Sequence, residues 1–118
     1  GVAYKRDIDD VRESPALDVI RLLEADGAEV QYHDPFIPSI RDEGCEGGTR
    51  SGRPLTAALL REMDAVVVVT DHRTVDYQLV MDHAALVVDT RNVMRDFVKT
   101  HARVIPLGAP IPPVSNRR

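Results

Sequence analysis

The chain has 118 residues, of which 43% are hydrophobic and 29% are charged, and this is typical of one soluble globular domain with a single core. Its net charge of −4 argues against nucleic acid as the main partner, because phosphate binding needs a basic face. One cysteine excludes an internal disulfide, and no apolar run is long enough to span a bilayer, so we expect a cytoplasmic protein without a membrane partner.

The first fifteen residues combine a strand end, a charged loop and a helix start. Residues 1–4 are typical of the end of a buried strand, and residues 5–13 carry four acids and three cations. Ser14 and Pro15 then open a helix, because a serine hydroxyl can cap free amides and proline suits the first helical position. This order of elements often forms an anion site in α/β proteins, so we expect a ligand site here.

Helical and strand patterns alternate through the next part of the chain. We predict a helix over residues 15–26, ended by Gly27, and a half-buried strand over residues 28–33. Residues 35–54 carry few apolar side chains and four glycines, which predicts a long, mobile surface loop.

The second half of the chain contains the most apolar strands. Residues 65–69 are an alanine and four valines, and such a run predicts a strand buried on both faces of a parallel sheet. The remaining predicted elements are helices at 56–62, 74–83 and 92–100, strands at 86–89 and 103–107, and an extended, proline-rich tail at 109–118. Together they predict an α/β fold, a three-layer Rossmann-like domain over residues 1–108 with a mostly parallel sheet.

The chain starts at Gly1 without an initiator methionine, inside a strand that is already in progress. We therefore expect a piece of a longer polypeptide with a first strand truncated at the N-terminus; a processed small protein is the alternative. Truncating a central strand also predicts a marginally stable isolated domain.

Polar and charged side chains follow the predicted strands, where ligands bind in parallel sheets. These residues are Lys5, Asp34, Thr70, Asp71, His72, Asp89, Thr90, Arg91 and Asn92. Lys5 and Arg91 are the cations among them, and both residue types hold phosphates or carboxylates. The alternatives are that Lys5 is simply solvated and that Arg91 pairs with Asp89 or Asp71.

Several stretches resemble the C-terminal domain of the UDP-glucose/GDP-mannose dehydrogenases. They are GVAYK at residues 1–5, DVRESPA at 10–16, YHDP at 32–35, TDH at 70–72 and DTRN at 89–92. The resemblance spans about residues 1–95, and the last three stretches are most similar to the UDP-N-acetylglucosamine 6-dehydrogenases.

This resemblance implies that the chain is a domain that binds a UDP-sugar. The complete enzyme would oxidise the C6 hydroxyl of that sugar to the carboxylate with NAD. The resemblance also implies that NAD is bound mainly by a domain absent from this chain. It implies that Lys5 reaches the sugar end of the ligand and that Arg91 contacts the ligand at the cleft. We interpret Asp10, Arg12 and Ser14 as residues that position the loop. The family further implies a homo-oligomeric full-length enzyme, and we expect the fragment alone to be inactive.

Other candidate chemistry finds little support. No Gly-x-Gly-x-x-Gly follows the first strand, so Asp34 lacks the pyrophosphate cradle that accompanies a ribose-binding acid. The four histidines show no metal-ligand spacing. Cys45 lies among acids that disfavour a thiolate, and the family's catalytic cysteine motif is absent, so we predict no catalytic residue in this chain. Two alternatives stay open: a free-standing nucleotide-binding or regulatory module, and a structural or oligomer-contact domain.

Overall fold

The computed structural model describes residues 1–3, 14–41 and 46–107, and its first element is helix α1, Pro15–Ala25. The helix begins where predicted: the Ser14 hydroxyl accepts a hydrogen bond from the Ala16 amide at 3.2 Å. It ends just before Gly27, whose φ of +97° is a left-handed conformation that glycine adopts without strain.

Three parallel strands form the main sheet. They are β3 (Val66–Val68), β4 (Leu86–Asp89) and β5 (Arg103–Pro106). A hairpin of two shorter strands, β1 (Ser39–Arg41) and β2 (Thr49–Ser51), precedes them in the chain. The central strand is β4, where Val87 pairs with Val66 on one side and Val104 on the other. The prediction of an α/β domain with a parallel sheet is therefore confirmed.

Two short helices pack beside this sheet. Helix α2, Ala57–Glu62, is capped by Thr56, and helix α3, Tyr77–His83, is capped by Asp76; in each case the cap side chain accepts from a backbone amide of the first turn. Both lie within the predicted helices at 56–62 and 74–83. Their apolar faces meet the sheet in a cluster that includes Leu60, Val80, Met81, Val87 and Met94.

The predicted mobile loop over residues 35–54 is wrong for its described part. Strands β1 (Ser39–Arg41) and β2 (Thr49–Ser51) pair antiparallel, although residues 42–45, including Cys45, lie outside the described residues. Ile37 and Ile40 are buried in a second apolar cluster with α1, and the Tyr32 hydroxyl donates to the Ile37 carbonyl at 2.9 Å. These two buried isoleucines order a segment whose glycine content predicted a mobile loop.

Residues 28–33 form no assigned strand, contrary to the prediction. Their burial still alternates, since Tyr32 is buried while Glu29 and Gln31 are exposed. Val2 and Ala3 are buried as expected for the end of a strand, but they meet this segment through the carboxylate of Asp34 rather than through a backbone ladder.

The helix predicted over residues 92–100 is reduced to one 3₁₀ turn, Met94–Asp96. Phe97 leaves helical geometry, with φ −115° and ψ 152°, and its ring lies 5.7 Å from that of Tyr77. The Val98 amide then donates to the Gln78 side chain at 3.1 Å. These contacts with α3 favour an extended chain over further helical turns.

A groove of about 700 Å³ separates residues 28–33 from β3. Strand β3 is an edge of the three-stranded sheet, so within the described ranges its outer side carries no strand. Gly1 lies at one end of the groove, where a β-carbon would be 2.2 Å from the carbonyl oxygen of Thr70. Only glycine fits that approach. None of the described helices has the length and apolar character needed to cross a membrane.

Candidate functional site

The carboxyl ends of β3 and β4 bring two predicted polar loops together. Thr70, Asp71 and His72 follow β3, and Thr90 and Arg91 follow β4. The Thr90 amide and hydroxyl donate to the carbonyl of Val68 at 3.2 and 2.6 Å, which joins the second loop to the end of the first strand. The expectation that these residues share one edge of the sheet is confirmed.

Arg91 lies in a turn that is fixed by Asp89. This buried carboxylate accepts from the Arg91 amide at 3.0 Å and from the Met94 amide at 2.8 Å, and Asn92 has a φ of +59° between them. The Nε of Arg91 donates to Asp71 Oδ1 at 3.3 Å. The alternative pairing with Asp71 therefore occurs in the side chain, whereas Asp89 holds only the backbone.

The Arg91 guanidinium is nevertheless open to a ligand. Its side chain is 53% exposed, while that of Asp71 is 5% exposed. Of the three guanidinium nitrogens, only Nε has a hydrogen bond within the part of the chain that the structure describes. Its two terminal nitrogens carry donors that suit a phosphate or carboxylate.

Asp34 is the centre of a buried hydrogen-bond network. Its Oδ2 accepts from the amides of Val2 and Ala3 at 2.8 and 3.0 Å and lies 2.8 Å from Nε2 of His72. Its Oδ1 accepts from the Phe36 amide at 2.8 Å. Neither the Asp34 nor the His72 side chain is exposed.

These contacts determine the charge of Asp34. Burial alone would raise its pKa, but the hydrogen bonds from the Phe36 amide, His72 and the amides of Val2 and Ala3 outweigh burial and lower the pKa below its usual value. Asp34 is therefore a carboxylate at neutral pH and can only accept hydrogen bonds. The Nε2 of His72 must carry the proton that it donates.

The backbone of Ala3 is held through both its amide and its carbonyl. Its carbonyl accepts from Thr70 Oγ1 at 2.7 Å and from Ser14 Oγ at 3.5 Å, while its amide donates to Asp34. Ser14 thus caps α1 and contacts the first segment. Lys5 follows Ala3 by two residues, and together with Asp10 and Arg12 it lies outside the described residues, so their predicted roles stay predictions.

Sequence reasoning did not identify the Asp34–His72 pair. It placed both residues at the ligand-binding edge, and it tested Asp34 as a ribose ligand and His72 as a metal ligand, but it did not pair them. The signal was present, because Asp34 directly follows one predicted strand and His72 lies three residues after another, and both strands were expected to end at the same edge of the sheet. In residues 1–3, 14–41 and 46–107, no three His, Cys, Asp or Glu side chains form a metal site.

A parallel α/β domain with polar loops at its carboxyl edge belongs to the broad class of Rossmann-like ligand-binding domains. The family profile described as "UDP-glucose/GDP-mannose dehydrogenase family, UDP binding domain" matches residues 1–96. This chain belongs to the UDP-glucose/GDP-mannose dehydrogenase family, and the resemblance seen in its motifs is confirmed.

Two curated relatives and one solved structure support the assignment. The UDP-N-acetyl-D-mannosamine dehydrogenase of Pyrococcus horikoshii is 28% identical over 102 residues, covering 81% of this chain and 21% of the relative. The UDP-glucose 6-dehydrogenase of Rhizobium meliloti is 33% identical over 117 residues, covering 93% and 26%. The UDP-N-acetyl-mannosamine dehydrogenase Cap5O from S. aureus superposes with a TM-score of 0.63 at 25% identity, covering 90% of this chain and 24% of that one. The chain therefore spans about a quarter of the length of these relatives.

Proposed function

We propose that this chain is the UDP-sugar-binding C-terminal domain of an NAD-dependent nucleotide-sugar 6-dehydrogenase. The complete enzyme oxidises the C6 hydroxyl of a UDP-sugar to the uronate. The observation that carries the proposal is Arg91, an exposed guanidinium held by the buried Asp71 at the carboxyl edge of the sheet, in a domain that matches a UDP-binding family profile.

The residues of this chain bind and orient the substrate. Arg91 presents two terminal nitrogens to an anionic group of the nucleotide-sugar, and Lys5 supplies a second, movable positive charge at the sugar end. Asp10, Arg12 and Ser14 position the loop that carries Lys5. The domain closes the substrate cleft and contributes no catalytic residue.

The described residues do not fit an NAD site. A ribose-binding acid must offer a free oxygen to a hydroxyl, but both oxygens of Asp34 already accept hydrogen bonds and the side chain is fully buried. The glycine cradle for a pyrophosphate is also missing from the sequence. We therefore assign NAD binding mainly to another domain and derive no step through the cofactor here.

The substrate is a UDP-sugar of the N-acetylglucosamine or glucose type. The relatives named above act on UDP-N-acetyl-mannosamine and UDP-glucose, so the leaning toward N-acetylglucosamine depends on local motifs alone. We further propose a cytoplasmic enzyme that functions as a homo-oligomer.

Titration of the 118-residue chain with UDP, followed by NMR or calorimetry, tests the binding role. Arg91→Ala should weaken binding about tenfold or more, since a hydrogen bond to a charged group contributes about 1.5–3 kcal/mol. Arg95→Ala is a matched control, because Arg95 lies in the 3₁₀ turn that follows, has a 68% exposed side chain and, within the part of the chain that the structure describes, pairs with the exposed Asp96.

Equal effects of these two substitutions would contradict the binding role and favour a structural or oligomer-contact domain. The enzymatic assignment has a separate test. The fragment alone should reduce no NAD with any UDP-sugar, whereas Lys5→Ala and Arg91→Ala in the complete dehydrogenase should lower turnover or raise KM without unfolding it. NAD reduction by the fragment would overturn our division of roles.

A further inference from the structure

We propose that Asp34 and His72 are positioning residues that orient Arg91 toward the ligand by way of Asp71. This inference rests on the proposed function and names residues that it does not assign. It follows from a continuous series of contacts, each of which lies within the described residues.

The first contact is the buried pair itself. The Asp34 carboxylate accepts four hydrogen bonds in a site without solvent, so every change in its position breaks a bond that water cannot replace. His72 donates one of these bonds, and its own amide donates to the Tyr77 hydroxyl at 3.1 Å. His72 is therefore held through both its ring and its backbone.

The second step is the placement of Asp71 between two anchors. His72 follows it in the chain, and Thr70 precedes it and donates to the Ala3 carbonyl at 2.7 Å. Because both neighbours are tied to the first segment or to Asp34, the backbone of Asp71 has little freedom. Its carboxylate is 5% exposed, so its direction is set by the protein rather than by solvent.

The third step is the contact from Asp71 to Arg91. A free arginine side chain samples many rotamers, and ordering it on ligand binding costs affinity. The bond from Nε to Asp71 restricts the guanidinium before the ligand arrives and does not use the two terminal nitrogens. The same Asp34 carboxylate accepts from the amides of Val2 and Ala3. One buried group therefore fixes both the segment before Lys5 and the loop after β3, which carries Asp71.

Three substitutions test this series. His72→Phe removes the donor to Asp34 and should weaken UDP binding about tenfold, within the usual range for residues that act through others. His72→Gln restores an N–H donor and should recover most of that affinity. Asp71→Asn removes the negative charge that faces Arg91 Nε and should weaken UDP binding about threefold or more, with an unchanged fold by circular dichroism.

Two further readouts separate positioning from a merely structural role. The Nε–H signal of Arg91 in ¹⁵N spectra should exchange slowly in the wild type and fast in His72→Phe and Asp71→Asn. In an Arg91→Ala background, the further loss of UDP affinity caused by His72→Phe should be clearly smaller than in the wild type, because most of its effect passes through Arg91.

The inference fails if a folded His72→Phe protein binds UDP and protects Arg91 Nε–H as the wild type does. It also fails if His72→Phe weakens binding equally with and without Arg91. Should His72→Phe not fold, Asp34→Asn, which alters the same buried pair, decides by the same two measurements. If the wild type binds no UDP, the proposed function fails, and the Nε–H exchange still tests the positioning.

Discussion

The Nε2 of His72 lies 2.8 Å from Oδ2 of Asp34, in a position where neither side chain reaches solvent. The two residues are 38 positions apart in the chain. Their contact joins the first segment, the end of residues 28–34 and the loop after β3 at the edge where the candidate ligand site lies. Because this pair connects three segments, we expect substitutions in it to change the stability of the domain as well as its ligand binding.

Asp34→Asn should lower the free energy of unfolding by about 2–4 kcal/mol. In the wild type both carboxylate oxygens accept from N–H donors, so the amide of the variant must direct its own N–H groups toward other donors. The variant also loses charge-assisted hydrogen bonds in a buried site. Urea denaturation of the 118-residue chain measures the change. Asp18→Asn, on the exposed face of α1, is the control and should stay within about 0.5 kcal/mol of wild type. Equal midpoints for the two variants would contradict a central role for Asp34.

The stability of the chain should fall in acid, in part through Asp34. Because its pKa is lower in the folded state than in the unfolded chain, the unfolded chain binds more protons between the two values. The stabilisation is therefore complete above the unfolded pKa of about 4 and is lost as pH falls through the folded value. Urea midpoints between about pH 2 and pH 7 should show a shallower decline in Asp34→Asn than in the wild type. Parallel curves would be incompatible with a lowered Asp34 pKa.

Ile40→Ala should destabilise the domain by about 2–4 kcal/mol, because the side chain is 3% exposed in the cluster beneath α1. Leu22→Ala removes a similar side chain that is 69% exposed and should change stability by less than about 0.5 kcal/mol. Thermal or urea unfolding distinguishes them. If the two variants behave alike, residues 35–54 form the mobile loop that the sequence predicted.

The isolated chain should melt below about 65 °C, the upper end of the usual range for mesophilic domains. The groove of about 700 Å³ beside β3 leaves apolar side chains such as Val30 and Val69 without close packing on one side. Far-ultraviolet circular dichroism during heating provides the midpoint. A transition well above 65 °C would show that the groove costs the fold little.

The sequence alone determined the elements whose signals are local. Ser14 and Pro15 start α1 and Gly27 ends it through hydrogen bonds and backbone conformations that involve neighbouring residues. The valine run of β3 and the apolar β4 specify parallel strands through their composition, and the order of strands and helices specifies the fold class. The polar residues at the carboxyl edge, including Arg91, could be located from that topology.

Only the tertiary structure decided the partners of these residues. The hairpin β1–β2 depends on the packing of Ile37 and Ile40 in an apolar cluster made by distant residues. Residues 28–33 form no assigned strand, because a strand is defined by backbone hydrogen bonds to a neighbouring strand as well as by its own sequence pattern. The Asp34–His72 pair and the contact of Asp71 with Arg91 join residues 38 and 20 positions apart. Local propensity carries no information about such distances, because these contacts form only when separate segments are packed against one another.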